Sequence, residues 1–214
     1  MKRKLHWETV YQQKQPNEVS WYQVHPEYSL NLIRATGVAR DRPIIDVGGG
    51  ASHLVDQLLA TGYQDITVLD IAAAALVNAH SRLGSRAAQV TWLESDVTTF
   101  EPPKQYALWH DRAVFHFLTD APDRQRYLAI LQHALPPGGH AIIATFSPDG
   151  PKQCSNLPVE RYDATKLQAT VGDAFKLLET RSEAHVTPAN KTQHFLYFWL
   201  QRNTEVDLPT IMGE

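Results

Sequence analysis

The stretch Ile44-Ile45-Asp46-Val47-Gly48-Gly49-Gly50-Ala51-Ser52 decides how the rest of this chain is read. Pro43–Val47 is a short apolar run that reads as a buried strand. Three glycines follow, and glycine lets a backbone adopt positive φ and lets a ligand approach it closely. Ser52–Ala60 then carries Leu54, Val55, Leu58 and Leu59 at helical spacing, with Gly62 placed to end the helix. Strand, glycine turn and helix in that order put the turn beyond the carboxyl end of a strand, where open α/β sheets bind ligands. The same glycines would also serve a tight turn with no ligand.

Outward from this point, strands and helices alternate. Ile66–Leu69 reads as a strand ending at Asp70, and Ala72–Leu83 as an alanine-rich helix stopped near Gly84. Val90–Leu93 and Tyr106–Trp109 are further strands, Asp123–Leu135 an amphipathic helix, and His140–Phe146 a fifth strand after the Pro136-Pro137-Gly138-Gly139 turn. Phe175–Leu178, continuing towards Val186, and His194–Trp199 read as two strands with no helix between them. The expected fold is α/β: a mostly parallel seven-stranded sheet, helices on both faces, and a C-terminal antiparallel hairpin. Residues 1–40 read as an N-terminal cap with one helix over Tyr28–Thr36, residues 41–203 as the binding domain, and 204–214 as a tail.

Bulk properties narrow the classes. A chain of 214 residues, 43% apolar and 20% charged, can bury a full core. No apolar run approaches the roughly 18 residues of a membrane span. The start, Met1-Lys2-Arg3-Lys4-Leu5, has basic residues but no apolar stretch of a secretory signal. Cys154 is the single cysteine, so no intramolecular disulfide forms, and a cytoplasmic setting is expected. The net charge of −3 fits a nucleic-acid partner poorly. The ten histidines are scattered without zinc spacing, and no metal is expected.

Asp70 stands twenty residues beyond Gly50, at the end of the second strand. A carboxylate there can accept hydrogen bonds from both hydroxyls of a ribose, or cap the alanine helix that follows. After the third strand, Asp96 is placed to accept from an adenine amino group and the Val97 backbone N–H to meet a ring nitrogen; a plain polar loop is the alternative. A nicotinamide dinucleotide would need a third glycine where His53 stands.

Taken in order, these landmarks resemble the class I S-adenosylmethionine-dependent methyltransferases, a Rossmann-like family. The first motif is matched by Asp46, Gly48 and Gly50, with Gly49 between them. The acidic end of strand two is matched by Asp70, the residue after strand three by Asp96, the fourth motif by Trp109-His110-Asp111-Arg112, and the turn before strand five by Leu135–Gly139. Trp7-Glu8-x-x-Tyr11, Ser20-Trp21-Tyr22, and Gly62-Tyr63-Gln64-Asp65-Ile66 with Leu69-Asp70-Ile71 resemble the methyltransferase-like group that includes lysine methyltransferases of elongation factors and citrate synthase. After strand four the chain departs from that group, with Asp111-Arg112-Ala113-Val114 where those enzymes carry Asp-Lys-Gly-Thr. The resemblance implies S-adenosylmethionine as cofactor, held by Asp46, Gly48, Gly49, Gly50, Asp70, Ile71, Asp96, Val97, His110 and Trp21.

The expected function is methyl transfer to a small molecule or a protein side chain, with Asp111 or His110 as proton acceptor. A non-catalytic cofactor-binding module and an NAD-dependent oxidoreductase are the alternatives. Trp7, Tyr11, Trp21 and Tyr22 on one side, and Cys154, Asn156, Arg161 and Tyr162 on the other, are expected to form the acceptor pocket. No membrane partner is expected, and the oligomeric state stays open.

Overall fold

The computed structural model describes residues 2–204. All but the first residue of the expected tail, 204–214, lies outside the described residues. The helices are α1 (Lys2–Gln13), α2 (Glu27–Ala35), α3 (Leu54–Ala60), α4 (Ala73–Leu83), α5 (Ala121–Ala134) and α6 (Ala164–Val171). The main strands are β1 (Ile44–Val47), β2 (Ile66–Asp70), β3 (Val90–Glu94), β4 (Leu108–Arg112), β5 (His140–Phe146), β6 (Phe175–Val186) and β7 (Thr192–Arg202).

The seven strands form one sheet in the order β3, β2, β1, β4, β5, β7, β6. β1 to β5 are parallel, and β7 joins β5 antiparallel and pairs with β6 as a hairpin. Every residue of β1 and β2 is buried, as expected for central parallel strands covered by helices on both faces. β6 at the edge instead alternates buried and exposed positions over much of its length, the period-2 pattern of a strand with one wet face. The strand order reverses at β1, between β2 and β4. A crevice opens outside the carboxyl ends of strands at such a switch point.

β4 runs Leu108–Arg112, two residues beyond the start expected from sequence and three beyond the end. Pairing with β1 sets these limits: Ile44 lies opposite Leu108, Asp46 opposite His110 and Val47 opposite Asp111. The polar run His110-Asp111-Arg112 looks like the start of a loop but completes the strand. α1, α6 and a small hairpin, Gln153–Cys154 with Leu157–Pro158, were not read from the sequence. The hairpin turns on Ser155 and Asn156, both at positive φ, as a two-residue turn of the I′ kind requires.

The N-terminal forty residues are not uniform. α2 buries Leu30, Leu32 and Ile33 in the core, whereas α1 has no buried residue. α1 contacts α4 and carries residues that line the crevice.

Candidate active site

Three glycines shape the floor, each for a different reason. Gly48 has φ +67°, and a Cβ there would collide with Val114 Cγ2. A Cβ on Gly49 would collide with the Asp46 carboxylate. One on Gly50 would collide with the Asp70 carboxylate and come within 2.6 Å of Ala75 Cβ. The turn is thus packed against two buried carboxylates and against Val114.

Asp46 is buried on β1, and its Oδ1 lies 2.7 Å from His110 Nδ1. His110 Nε2 lies 2.9 Å from Ser29 Oγ on α2. The second oxygen of Asp46, Oδ2, is buried without a hydrogen-bond partner. Asp70 is also buried, and its Oδ1 accepts from the Ala72 N–H at 2.9 Å. The two sequence readings of Asp70 are therefore compatible: one oxygen braces the start of α4 while the residue lines the cleft. Burial pushes the Asp70 carboxyl up to about 7, against the pull of N–H groups from Ala72, Ile71 and Gly50.

The main cleft, its open mouth included, spans about 730 Å³. Val47, Gly48 and Asp70–Ile71 form its floor, and Ser95, Asp96 and Val97 one end. Arg112, Ala113, Val114, Phe117 and Leu118 form the wall after β4; Arg3, Trp7, Tyr11 and Trp21 close the top, and Cys154 reaches the far side. A second cleft of about 560 Å³ adjoins it, sharing Tyr11, Trp21, Val47, Gly48 and Arg112, and continues past Gly49, Tyr22, Asp46 and His110.

α1 is fastened across the opening by ionic contacts. Arg3 pairs with Asp96 and with Asp123, and Lys4 with Glu94. Glu8 accepts from the Ala73 N–H at 2.7 Å and the Ala74 N–H at 3.2 Å, a carboxylate at the positive end of α4. Asp96 lies at the cleft as expected, but its Oδ1 also accepts from the Thr98 N–H at 2.9 Å and hydroxyl at 2.8 Å. Sequence reading assigns Arg3 no role and Glu8 only a place in the Trp7-Glu8-x-x-Tyr11 resemblance, because α1 shows little apolar periodicity and its partners are 65 to 120 residues away.

Sequence reading places Arg112 only within the fourth motif and gives it no role of its own; an arginine ending an otherwise buried strand is the further signal. Nε donates to Tyr197 at 2.8 Å and Nη1 to the Trp21 carbonyl at 3.0 Å, with Glu183 3.5 Å from Nη2. Ala113, next along, has φ +69°, so the chain leaves β4 through a turn that a β-carbon disfavours.

Several expectations change. Asp111 does not reach the cleft: it is fully buried, and its carboxylate accepts from Tyr127 (2.7 Å), Val114 (2.9 Å) and Phe115 (3.1 Å). Burial lifts its carboxyl to about 6 while these bonds hold it down. His110 is interior to β4, with both ring nitrogens engaged. Neither residue is free to take a proton from an acceptor. Tyr162 is buried against Phe115, Arg161 binds the Pro148 and Gly150 carbonyls, and Asn156 forms the hairpin turn; none of them lines the cleft. Trp7, Tyr11, Trp21 and Cys154 do line it. Burial raises the Cys154 thiol to about 11, the opposite of what activates a nucleophile.

A glycine turn at the switch point, with an acidic residue at or next to the end of each of the first two strands, defines a Rossmann-like α/β domain. Residues 44–139 match the profile of a family described as a methyltransferase domain. The curated relatives are the eEF1A lysine and N-terminal methyltransferases of mouse (31% identity, 46% of this chain, 14% of the relative) and cattle (28%, 66% and 21%). The chain thus spans about a fifth or less of their length. Among solved structures, the N-methyltransferase NodS from Bradyrhizobium japonicum with S-adenosyl-L-homocysteine superposes with a TM-score of 0.70 at 16% identity, over 91% of this chain and 97% of that one. A structure described for conversion of a disulfide bond into a thioacetal group in echinomycin biosynthesis gives 0.77 at 17% identity, over 95% and 94%. Residues 44–139 thus match a methyltransferase domain family, on a fold shared with solved S-adenosylmethionine-dependent methyltransferases.

Proposed function

We propose that this chain transfers a methyl group from S-adenosylmethionine to a nitrogen nucleophile, on a small molecule or a protein side chain. The observation that carries it is the fit of the Gly48–Gly50 cradle between two buried carboxylates at the switch point. The missing Cβ atoms let the turn pack directly on the Asp46 and Asp70 carboxylates and on Val114 beside the cleft, and Asp46 Oδ2 is a buried acceptor without a donor. The relatives' names, lysine and N-terminal methyltransferase, favour nitrogen.

In this reading Asp70 accepts from the ribose hydroxyls, Ile71 packs beside the sugar, and Ser95–Val97 border the adenine. Gly48, Gly49 and Asp46 take the methionine end, with Trp21 above it. His110 and Ser29 position Asp46 and touch no substrate. When bound, the cofactor supplies a methyl group already activated on a sulfonium. The protein's part is to align the acceptor and exclude water, worth roughly 7–11 kcal/mol at best. α1 and Trp21 exclude water by roofing the cleft. An amine has to arrive unprotonated, and neither Asp111 nor His110 deprotonates it.

The division into a cap over 1–40, a binding domain over 41–203 and a tail over 204–214 belongs to the same proposal, with α2 counted structurally with the core. So does a cytoplasmic setting, which rests on the lone buried cysteine. Among the described residues no helix is long and apolar enough to cross a membrane.

Calorimetry with S-adenosylhomocysteine, NAD and adenosine, followed by tritiated-methyl transfer into cell lysate, tests the reading. Binding of S-adenosylhomocysteine and transfer to an amine are expected. Binding without transfer in several lysates points to a non-catalytic module, and preference for NAD overturns the proposal.

A further inference from the structure

Four aromatic side chains from three separate segments meet over the cleft. Trp7 and Tyr11 come from α1, Trp21 from the following turn, and Phe117 from the segment after β4. Ring centroids are 4.9 Å apart for Trp7–Phe117, 5.7 Å for Trp7–Trp21 and 6.2 Å for Tyr11–Trp21, with interplanar angles of 72°, 82° and 76°. Edge-to-face pairs at these distances are in packing contact, so the rings form one continuous aromatic wall. All four are only half-buried, and all four line the cleft.

The charges around this box favour a cation. Four charged side chains line the cleft: Arg3, Asp70, Asp96 and Arg112. Arg3 is paired with Asp96 and Asp123, and Arg112 is turned onto Tyr197, Trp21 O and Glu183. Among the described residues Asp70 alone of the four has no ionic partner. Once Asp70 has lost its proton, the unbalanced charge in the cleft is negative.

Resting on the methyltransferase reading, we propose that these rings form a binding site for a quaternary ammonium, and that the acceptor is an amine carried to its fully methylated state. Aromatic faces attract cations through the ring quadrupole, most strongly when water is excluded. An ammonium that keeps N–H groups loses hydrogen bonds on entering a box of rings, and unpaired buried donors are costly. A quaternary ammonium has no N–H to leave unpaired. In the last transfer the nitrogen lone pair bonds to the methyl carbon, the C–S bond breaks, and sulfur keeps the electron pair. A tertiary amine that has already lost its ammonium proton to solvent has no N–H, so the transfer itself releases no proton and needs no base at the nitrogen. That Asp111 and His110 are engaged in buried hydrogen bonds then costs this step nothing.

The test uses the full chain saturated with S-adenosylhomocysteine, titrated with choline, its neutral isostere 3,3-dimethylbutan-1-ol, and ethanolamine, read by calorimetry and tryptophan fluorescence. Choline is expected to bind about tenfold or more tighter than either of the others. Trp7→Leu and, independently, Phe117→Leu are expected to abolish that preference, with folding checked by circular dichroism. Equal binding of choline and the alcohol, no binding of choline, or ethanolamine binding at least as tightly overturns the proposal. If Trp7→Leu weakens S-adenosylmethionine but not S-adenosylhomocysteine, and leaves choline unaffected, the rings serve the cofactor's sulfonium and the proposal is likewise overturned. Failure to bind S-adenosylhomocysteine at all overturns the underlying methyltransferase reading instead.

Discussion

The floor and the roof of the cleft are built by different physics. The floor stands on the ends of parallel strands whose residues are almost wholly buried, and its carboxylates, Asp46 and Asp70, are held by short hydrogen bonds inside the core. The roof, α1, has no buried residue and is tied down by ion pairs and by Glu8 at the start of α4. Partly exposed ion pairs typically contribute about 1 kcal/mol or less each, whereas a packed strand end cannot move without opening the core. The floor is therefore a rigid template, and the roof a strap that lifts at modest cost. Binding strength should reside in the first, and exchange and acceptor alignment in the second.

The sharpest way to break this comparison is Gly50→Val. A side chain there meets the Asp70 carboxylate and Ala75, with no flexible atom to yield. Loss of measurable S-adenosylhomocysteine binding is expected in calorimetry. A folded variant that binds normally removes the floor from the cofactor site.

Deleting residues 1–22 strips the roof and leaves the floor. Methyl transfer should fall by about a hundredfold or more, since alignment is lost. Cofactor affinity should fall by only about tenfold, chiefly through faster dissociation in stopped-flow traces. A truncated protein that still transfers methyl at the normal rate shows that the strap plays no part in the site.

Asp70→Asn sharpens the view of the floor. The amide oxygen can still accept from the Ala72 N–H, so the change isolates the charge. Affinity should drop by about tenfold, given roughly 1.5–3 kcal/mol for hydrogen bonds to a charged group. The wild-type protein should show a pH dependence that the variant lacks. With the carboxyl raised to about 7 by burial, a proton has to leave before the carboxylate accepts from two hydroxyls. Binding therefore strengthens as pH rises through 7 and weakens below it. A flat wild-type profile between pH 6 and 8 excludes this role.

The smallest effect on binding is expected from Asp111→Asn. It removes an acceptor from a buried cluster with Tyr127, Val114 and Phe115, so stability should fall by about 1–3 kcal/mol in urea unfolding. Cofactor affinity should stay within about twofold. A large loss of transfer in a protein of unchanged stability restores Asp111 to the chemistry.

The glycine turn, the acids ending β1 and β2, and the antiparallel hairpin were legible in the chain because each rests on local rules. A strand that enters a turn and then a helix is written within a dozen residues, and Asp70 follows at a set distance because one helix and one strand have near-constant lengths. What α1 covers was not legible. Arg3, Glu8, Trp7 and Tyr11 find partners 65 to 120 residues away or on other segments, and no periodicity within Lys2–Gln13 signals a surface contact of that kind. The end of β4 belongs with it. His110 and Asp111 read as loop residues because they are polar, yet partners on β1, α2 and α5 satisfy them inside the core. By itself the sequence determined the fold class and the glycine turn at the carboxyl end of β1, since those depend on burial patterns and backbone freedom along the chain. Only the tertiary structure decided which polar groups face the cleft and which brace its walls, because that depends on which hydrogen-bond partner lies within about 3 Å across the fold.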